Sequence, residues 1–128
     1  MPARYLLDTD VLVEYLRGSP KAIQYLEGLK GDLAISAITV AELFSGVRGD
    51  EEQTALEQFV EAFQVVPVGE DIARRGGLHR REYRASHGTG LADALVAASA
   101  QAAGAVLVTF NRRHYPMISE INVPYRQG

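Results

Sequence analysis

A chain of 128 residues without a cysteine excludes a disulfide framework and any thiolate metal site, and fits the reducing cytoplasm. Its length suits one domain, residues 1–128, with enough core to fold without staples. The formal net charge of −3 hides an asymmetry: residues 1–71 carry five Lys/Arg against thirteen Asp/Glu, residues 72–128 eight against three. Overall acidity excludes nucleic-acid binding through bulk charge and leaves a local basic rim as the open alternative.

The first apolar run, Tyr5-Leu6-Leu7, ends at Asp8, and helical spacing begins one or two residues later with Leu12, Tyr15 and Leu16 on one face. This predicts a buried strand, a tight turn and a helix, with Asp8 at the carboxyl end of the strand, where open α/β sheets bind ligands. Helix capping is the plainer use of Asp8 or Asp10, and the segment alone leaves both readings open. No basic segment leads into a long apolar run and two acids interrupt this one, so neither a signal peptide nor a membrane span is expected.

Ser19-Pro20 restarts a helix as N-cap and first helical residue. Leu33-Ala34-Ile35-Ser36 reads as a second buried strand. Thr39 and Glu42 then match the capping-box spacing, a structural use for Glu42 that also puts it in a first helical turn after a strand. Asp50 to Phe63 is a helix with Leu56, Phe59, Val60 and Phe63 inward. Gln64 to Val68 is a third strand, which Pro67 marks as a strand end or sheet edge.

Ile72 to Ala85 has helical tendency, weakened by Gly76-Gly77 and rich in arginine. After the loop Ser86 to Gly90, the segment Leu91 to Ala103 is apolar nearly all round and predicts a buried helix whose only charge is Asp93. A buried carboxylate is costly unless paired, hydrogen-bonded or metal-bound. Ala105 to Thr109 is the clearest buried strand; Asn111 to Tyr115 follows as loop or short helix, and Ile121 to Val123 as a last edge strand. This order predicts a three-layer α/β/α fold with a mostly parallel sheet of four to five strands.

Asp8, Glu42 and Asp93 each follow a predicted strand and so meet at one sheet end, where Thr109 and Asn111 also arrive. Converging carboxylates without paired lysines call for a cation. With no Cys, and with the histidines expected elsewhere, the donors are oxygen, which suits Mg²⁺ or Mn²⁺ over Zn²⁺ and points to phosphoryl chemistry.

Four stretches, LLDTDVLVEYL (6–16), SAITVAELFSG (36–46), LADALVAASA (91–100) and LVTFNRRHYPMI (107–118), occur in an order and spacing that resemble the PIN-domain family, and within it the VapC-type toxin ribonucleases of bacterial toxin–antitoxin pairs. The resemblance covers essentially the whole chain. It implies a PIN-like fold and a Mg²⁺/Mn²⁺-dependent endoribonuclease whose acids fall on Asp8, Glu42 and Asp93, with the family's Ser/Thr after the fourth strand on Thr109. It also implies a VapB-type antitoxin partner, a homodimer and no membrane association. The chain departs from many members in offering Asn111 and His114 where they carry a further acid, which leaves Asp10 and Asn111 as candidate additional metal ligands. Arg80, Arg84, Arg112 and Arg113 are the candidate RNA contacts.

Two other readings compete. A PIN-like module could bind RNA or protein without cutting. A haloacid-dehalogenase-like phosphatase also begins with a strand and Asp-x-Asp, but that fold needs a later lysine, and none follows Lys30.

Overall fold

The run ahead of Asp8 forms β1 (Ala3–Leu7), and the chain passes through Asp8 alone into α1 (Thr9–Leu16). This is a computed structural model, and it describes residues 3–127. The elements that follow are α2 (Pro20–Gly28), β2 (Gly31–Ser36), α3 (Ala37–Ser45), α4 (Asp50–Val60), β3 (Gln64–Val66), α5 (Glu70–His87), α6 (Leu91–Ala103), β4 (Val106–Val108), a 3-10 turn at Arg112–His114 and β5 (Ile121–Asn122). The strands make one sheet in the order β3-β2-β1-β4-β5, with every neighbouring pair parallel. Helices cover both faces, giving the α/β/α architecture expected.

Because both faces are covered, the strands read as continuous apolar runs and their side chains divide between two cores. Leu7, Ile35 and Val108 face Leu12, Leu26, Leu43 and Leu56 from α1, α2, α3 and α4. Leu6 and Leu107 face Val96, Ala97 and Ala100 of α6. Helix α5 packs outside α6, where buried Gly76 meets Leu95 so closely that an added Cβ would lie 2.5 Å from its Cδ2. Among the described residues no helix is long and apolar enough to cross a membrane.

One local expectation needs correction. The capping box at Thr39 and Glu42 does not form: Ser36 ends β2 and itself caps α3, accepting from the Ile38 N–H at 3.1 Å. Helix α3 therefore starts three residues early, leaving Thr39 buried and Glu42 in the second turn. The helical tendency of Ile72 to Ala85 is realised in α5, which runs through Gly76 and Gly77. Tertiary packing on α6 overrides the local propensity there. Strand β3 is the sheet edge that Pro67 suggested.

Candidate active site

The parallel sheet delivers the ends of β1, β2 and β4 to one side, and the acids gather around the end of the central strand. The Asp8 N–H is tied to the Val108 carbonyl at 2.9 Å, so its backbone continues the sheet for one residue before α1 begins. Its side chain is 6% exposed. Oδ1 accepts from the Thr9 N–H at 2.8 Å, the helix-capping bond, while Oδ2 accepts from the Thr109 hydroxyl at 2.8 Å and the Tyr115 hydroxyl at 2.7 Å. Both readings of Asp8 thus hold at once: it caps α1 and it sits at the strand end. Burial pushes its carboxyl above the usual range, the three donors pull it back, and Asp93 pushes it up again.

Asp93 reaches the same place from the first turn of α6. Its Oδ2 accepts from the Gly90 N–H at 3.1 Å, capping the helix, and its Oδ1 lies 3.3 Å from the Tyr115 hydroxyl. His114 Nδ1 stands 3.3 Å from Asp93 Oδ2, so this histidine is beside the acids rather than away from them as expected. The 3-10 turn after β4 carries it back toward the start of α6, against Gly88.

Asp10 lies in the first turn of α1. Its Oδ2 accepts from the Phe110 N–H at 3.1 Å and stands 3.4 Å from the Thr109 hydroxyl, while Oδ1 is buried with no hydrogen-bond partner. Burial, then the neighbouring Asp8, push its carboxyl up to about 7. The single Thr109 proton is thus within reach of both Asp8 and Asp10, and Thr109 Oγ1 also accepts from the Asn111 N–H at 3.0 Å.

Glu42 is exposed and is linked to the cluster through Thr9, whose hydroxyl donates to Oε1 at 2.6 Å and lies 3.1 Å from the Thr39 hydroxyl. Asn111 is exposed, and the bond that ties it in comes from its backbone. Arg84, Arg112 and Arg113 are exposed and Arg80 is half-buried. None of the four enters a salt bridge among the described residues.

Two residues of this cluster lie outside the expectations drawn from sequence. Thr9 carried a signal, sitting between two acids in Asp8-Thr9-Asp10. Tyr115 carried little, one aromatic in a basic stretch, yet it is 1% exposed with its hydroxyl between Asp8 and Asp93. The result is a cluster of carboxylates, Asp8 and Asp10 largely buried and Asp93 partly so, met by neutral hydroxyl donors; His114 is its one basic neighbour among the described salt bridges. Among the described residues no three Asp, Glu or His side chains are drawn together tightly enough to form a metal-ligand group as they stand.

A family model described as PIN domain matches residues 5–117. The chain is 43% identical over 124 residues to Ribonuclease VapC19 of Mycobacterium tuberculosis, covering 94% of this chain and 98% of that protein. It is 40% identical over 123 residues to Ribonuclease VapC10 of the same organism, covering 94% and 92%. Among solved structures, a toxin–antitoxin complex from Klebsiella pneumoniae superposes with a TM-score of 0.84 at 29% identity, over 96% of this chain and 99% of that one.

Proposed function

This chain belongs to the PIN-domain family, among its VapC proteins, and on that premise we propose that it is the ribonuclease toxin of a toxin–antitoxin pair, hydrolysing RNA with the help of Mg²⁺ or Mn²⁺. The observation that carries the reading is the meeting of Asp8 and Asp93, from β1 and α6, on one hydroxyl at the carboxyl end of the sheet. The donor set fits a hard divalent ion. Its oxygens are ionisable, Asp10 Oδ1 is buried without a partner, and Asp8 and Asp10 both have raised carboxyls.

Asp8 and Asp93 would hold the ion, with Glu42 and Asp10 as further oxygen donors and Asn111 as a neutral one. A bound ion of this kind supplies activation of water and relief of charge on the scissile phosphate. The chain's own residues do the rest. Thr109 bridges Asp8 and Asp10, Thr9 fixes the Glu42 carboxylate, and exposed Arg84, Arg112 and Arg113 together with half-buried Arg80 offer cationic heads to the RNA backbone. The similar Klebsiella pneumoniae structure is that of a toxin–antitoxin complex, which supports a cognate VapB-type antitoxin as partner; a homodimer and a cytoplasmic site of action complete the reading.

The loose gathering of the acids favours one second reading, a module that binds RNA or a protein without cutting it. A single assay separates the two. Metal-stripped protein is incubated with RNA, with and without Mn²⁺, as wild type, Asp8→Asn and Asp93→Asn. The nuclease reading expects cleavage only with the ion and only in wild type. Binding without cleavage at any ion concentration leaves the module.

A further inference from the structure

The hydroxyl of Tyr115 has one proton and stands between two carboxylates, 2.7 Å from Asp8 Oδ2 and 3.3 Å from Asp93 Oδ1. The other donors to these two acids serve one or the other: Thr9 and Thr109 bond Asp8, and Gly90 bonds Asp93. Tyr115 is the group that joins them. Its ring is held in the core with Leu6, Val96, Ala97 and Leu107, so the hydroxyl is delivered by rigid packing rather than by a mobile loop. A phenolic hydroxyl is both compact and neutral, so it can donate between the two acids without adding charge.

We propose that Tyr115 is a positioning residue that holds Asp8 and Asp93 together in the metal-free protein and competes with a divalent ion for their oxygens. The inference rests on the metal-site reading given above. Two buried like charges repel, and without a cation a shared neutral donor offsets part of that repulsion. An ion that binds both carboxylates supplies the same compensation and makes the hydroxyl redundant. An interaction present in the free form and weakened in the loaded form lowers apparent affinity for the ion. Tyr115 therefore keeps the site assembled before loading, at the cost of weaker metal binding.

The test is Tyr115→Phe, which keeps the ring and removes the hydroxyl. Metal-stripped wild type and variant are titrated with Mn²⁺ near pH 8, free ion being read by electron paramagnetic resonance, and both are melted without metal. The variant should bind Mn²⁺ about tenfold tighter, the factor carried by one charge-assisted hydrogen bond, and should melt lower when metal-free. Packing alone would not raise the affinity. Should the single variant fail to fold without metal, Asp93→Asn and the Asp93→Asn/Tyr115→Phe pair carry the same comparison through Asp8, again with tighter binding expected when the hydroxyl is gone. Wild type that binds Mn²⁺ beside a variant that binds it equally or more weakly overturns the role of Tyr115 alone. Wild type that binds no Mn²⁺ overturns the metal-site reading and this role with it.

Discussion

The Thr9 hydroxyl donates to Glu42 Oε1 at 2.6 Å, tying the first turn of α1 to the second turn of α3 across 33 residues of chain. Ser36, not Thr39, caps α3, so Glu42 has no part in starting its own helix. This separates stability from function at Glu42. Glu42→Gln keeps an acceptor for Thr9, and stability should move by less than about 0.5 kcal/mol, as for an exposed position. RNA cleavage should fall by orders of magnitude if the charge serves the ion. Thr9→Val, which leaves Glu42 unheld, should cost roughly 10- to 100-fold in activity or metal affinity. Denaturant melts and a cleavage assay check both, and full activity in Glu42→Gln would reduce this carboxylate to a tie between helices.

Asp10 gives the metal-free protein a pH dependence. Its carboxyl is raised from 3.8 to about 7, by burial first and Asp8 second. The folded state therefore holds a proton that the unfolded state has already released over that interval, and stability falls as pH rises. The contribution is fully present below the unfolded value and is lost as pH passes the folded one. Metal-stripped wild type should melt progressively lower from about pH 4 to about pH 7, with no further loss from this group above that. Asp10→Asn, which keeps an oxygen for the Phe110 N–H, should flatten that slope and melt higher at the alkaline end. A variant with the wild-type slope would place the titration elsewhere.

Gly76 and Gly77 are neighbours in α5 with opposite surroundings. A Cβ at Gly76 would lie 2.5 Å from Leu95 Cδ2 and 3.2 Å from its Cα, while one at Gly77 meets nothing within 4 Å. Gly77→Ala should stabilise by about 0.5–1 kcal/mol through helix propensity. Gly76→Ala should destabilise by about 1 kcal/mol or more, because overpacking against α6 outweighs the same gain. Chemical denaturation of the two variants measures the difference, and equal effects would mean that α5 and α6 can move apart freely.

Arg80, Arg84, Arg112 and Arg113 enter no salt bridge among the described residues, which leaves them available to phosphate. If they bind RNA, neutralising all four should weaken binding across sequences and reduce the salt slope by about 0.7–1 for each phosphate left without its arginine. Filter binding of a non-cleavable RNA over a range of salt reads both. An unchanged slope would make them ordinary surface charge.

The parallel sheet and the end of it used by Asp8 were legible because burial on both faces forces continuous apolar runs, as in Leu6-Leu7 and Val106 to Val108, and right-handed crossovers then bring the strand ends to one side; the order of the strands in the sheet was not. Helix α6 was legible from its near-total apolarity, which made Asp93 conspicuous. Local signals failed where two elements compete for one residue. Ser36 and Thr39 are both good caps, and only the end of β2 decides that Ser36 takes the role. Gly76-Gly77 lowers the helical tendency of α5, and only the packing against Leu95 of α6 shows why a residue without a side chain stands at Gly76. The hydroxyl linking Asp8 and Asp93 belongs to a tyrosine 107 residues from Asp8 and 22 from Asp93, and His114 swings back beside Asp93 through the 3-10 turn. Residue types and periodicity thus determined which acids share an end of the sheet. Which neutral donors reach them, and which oxygen stays unpartnered, depends on packing over long sequence separations, and only the folded chain decides that.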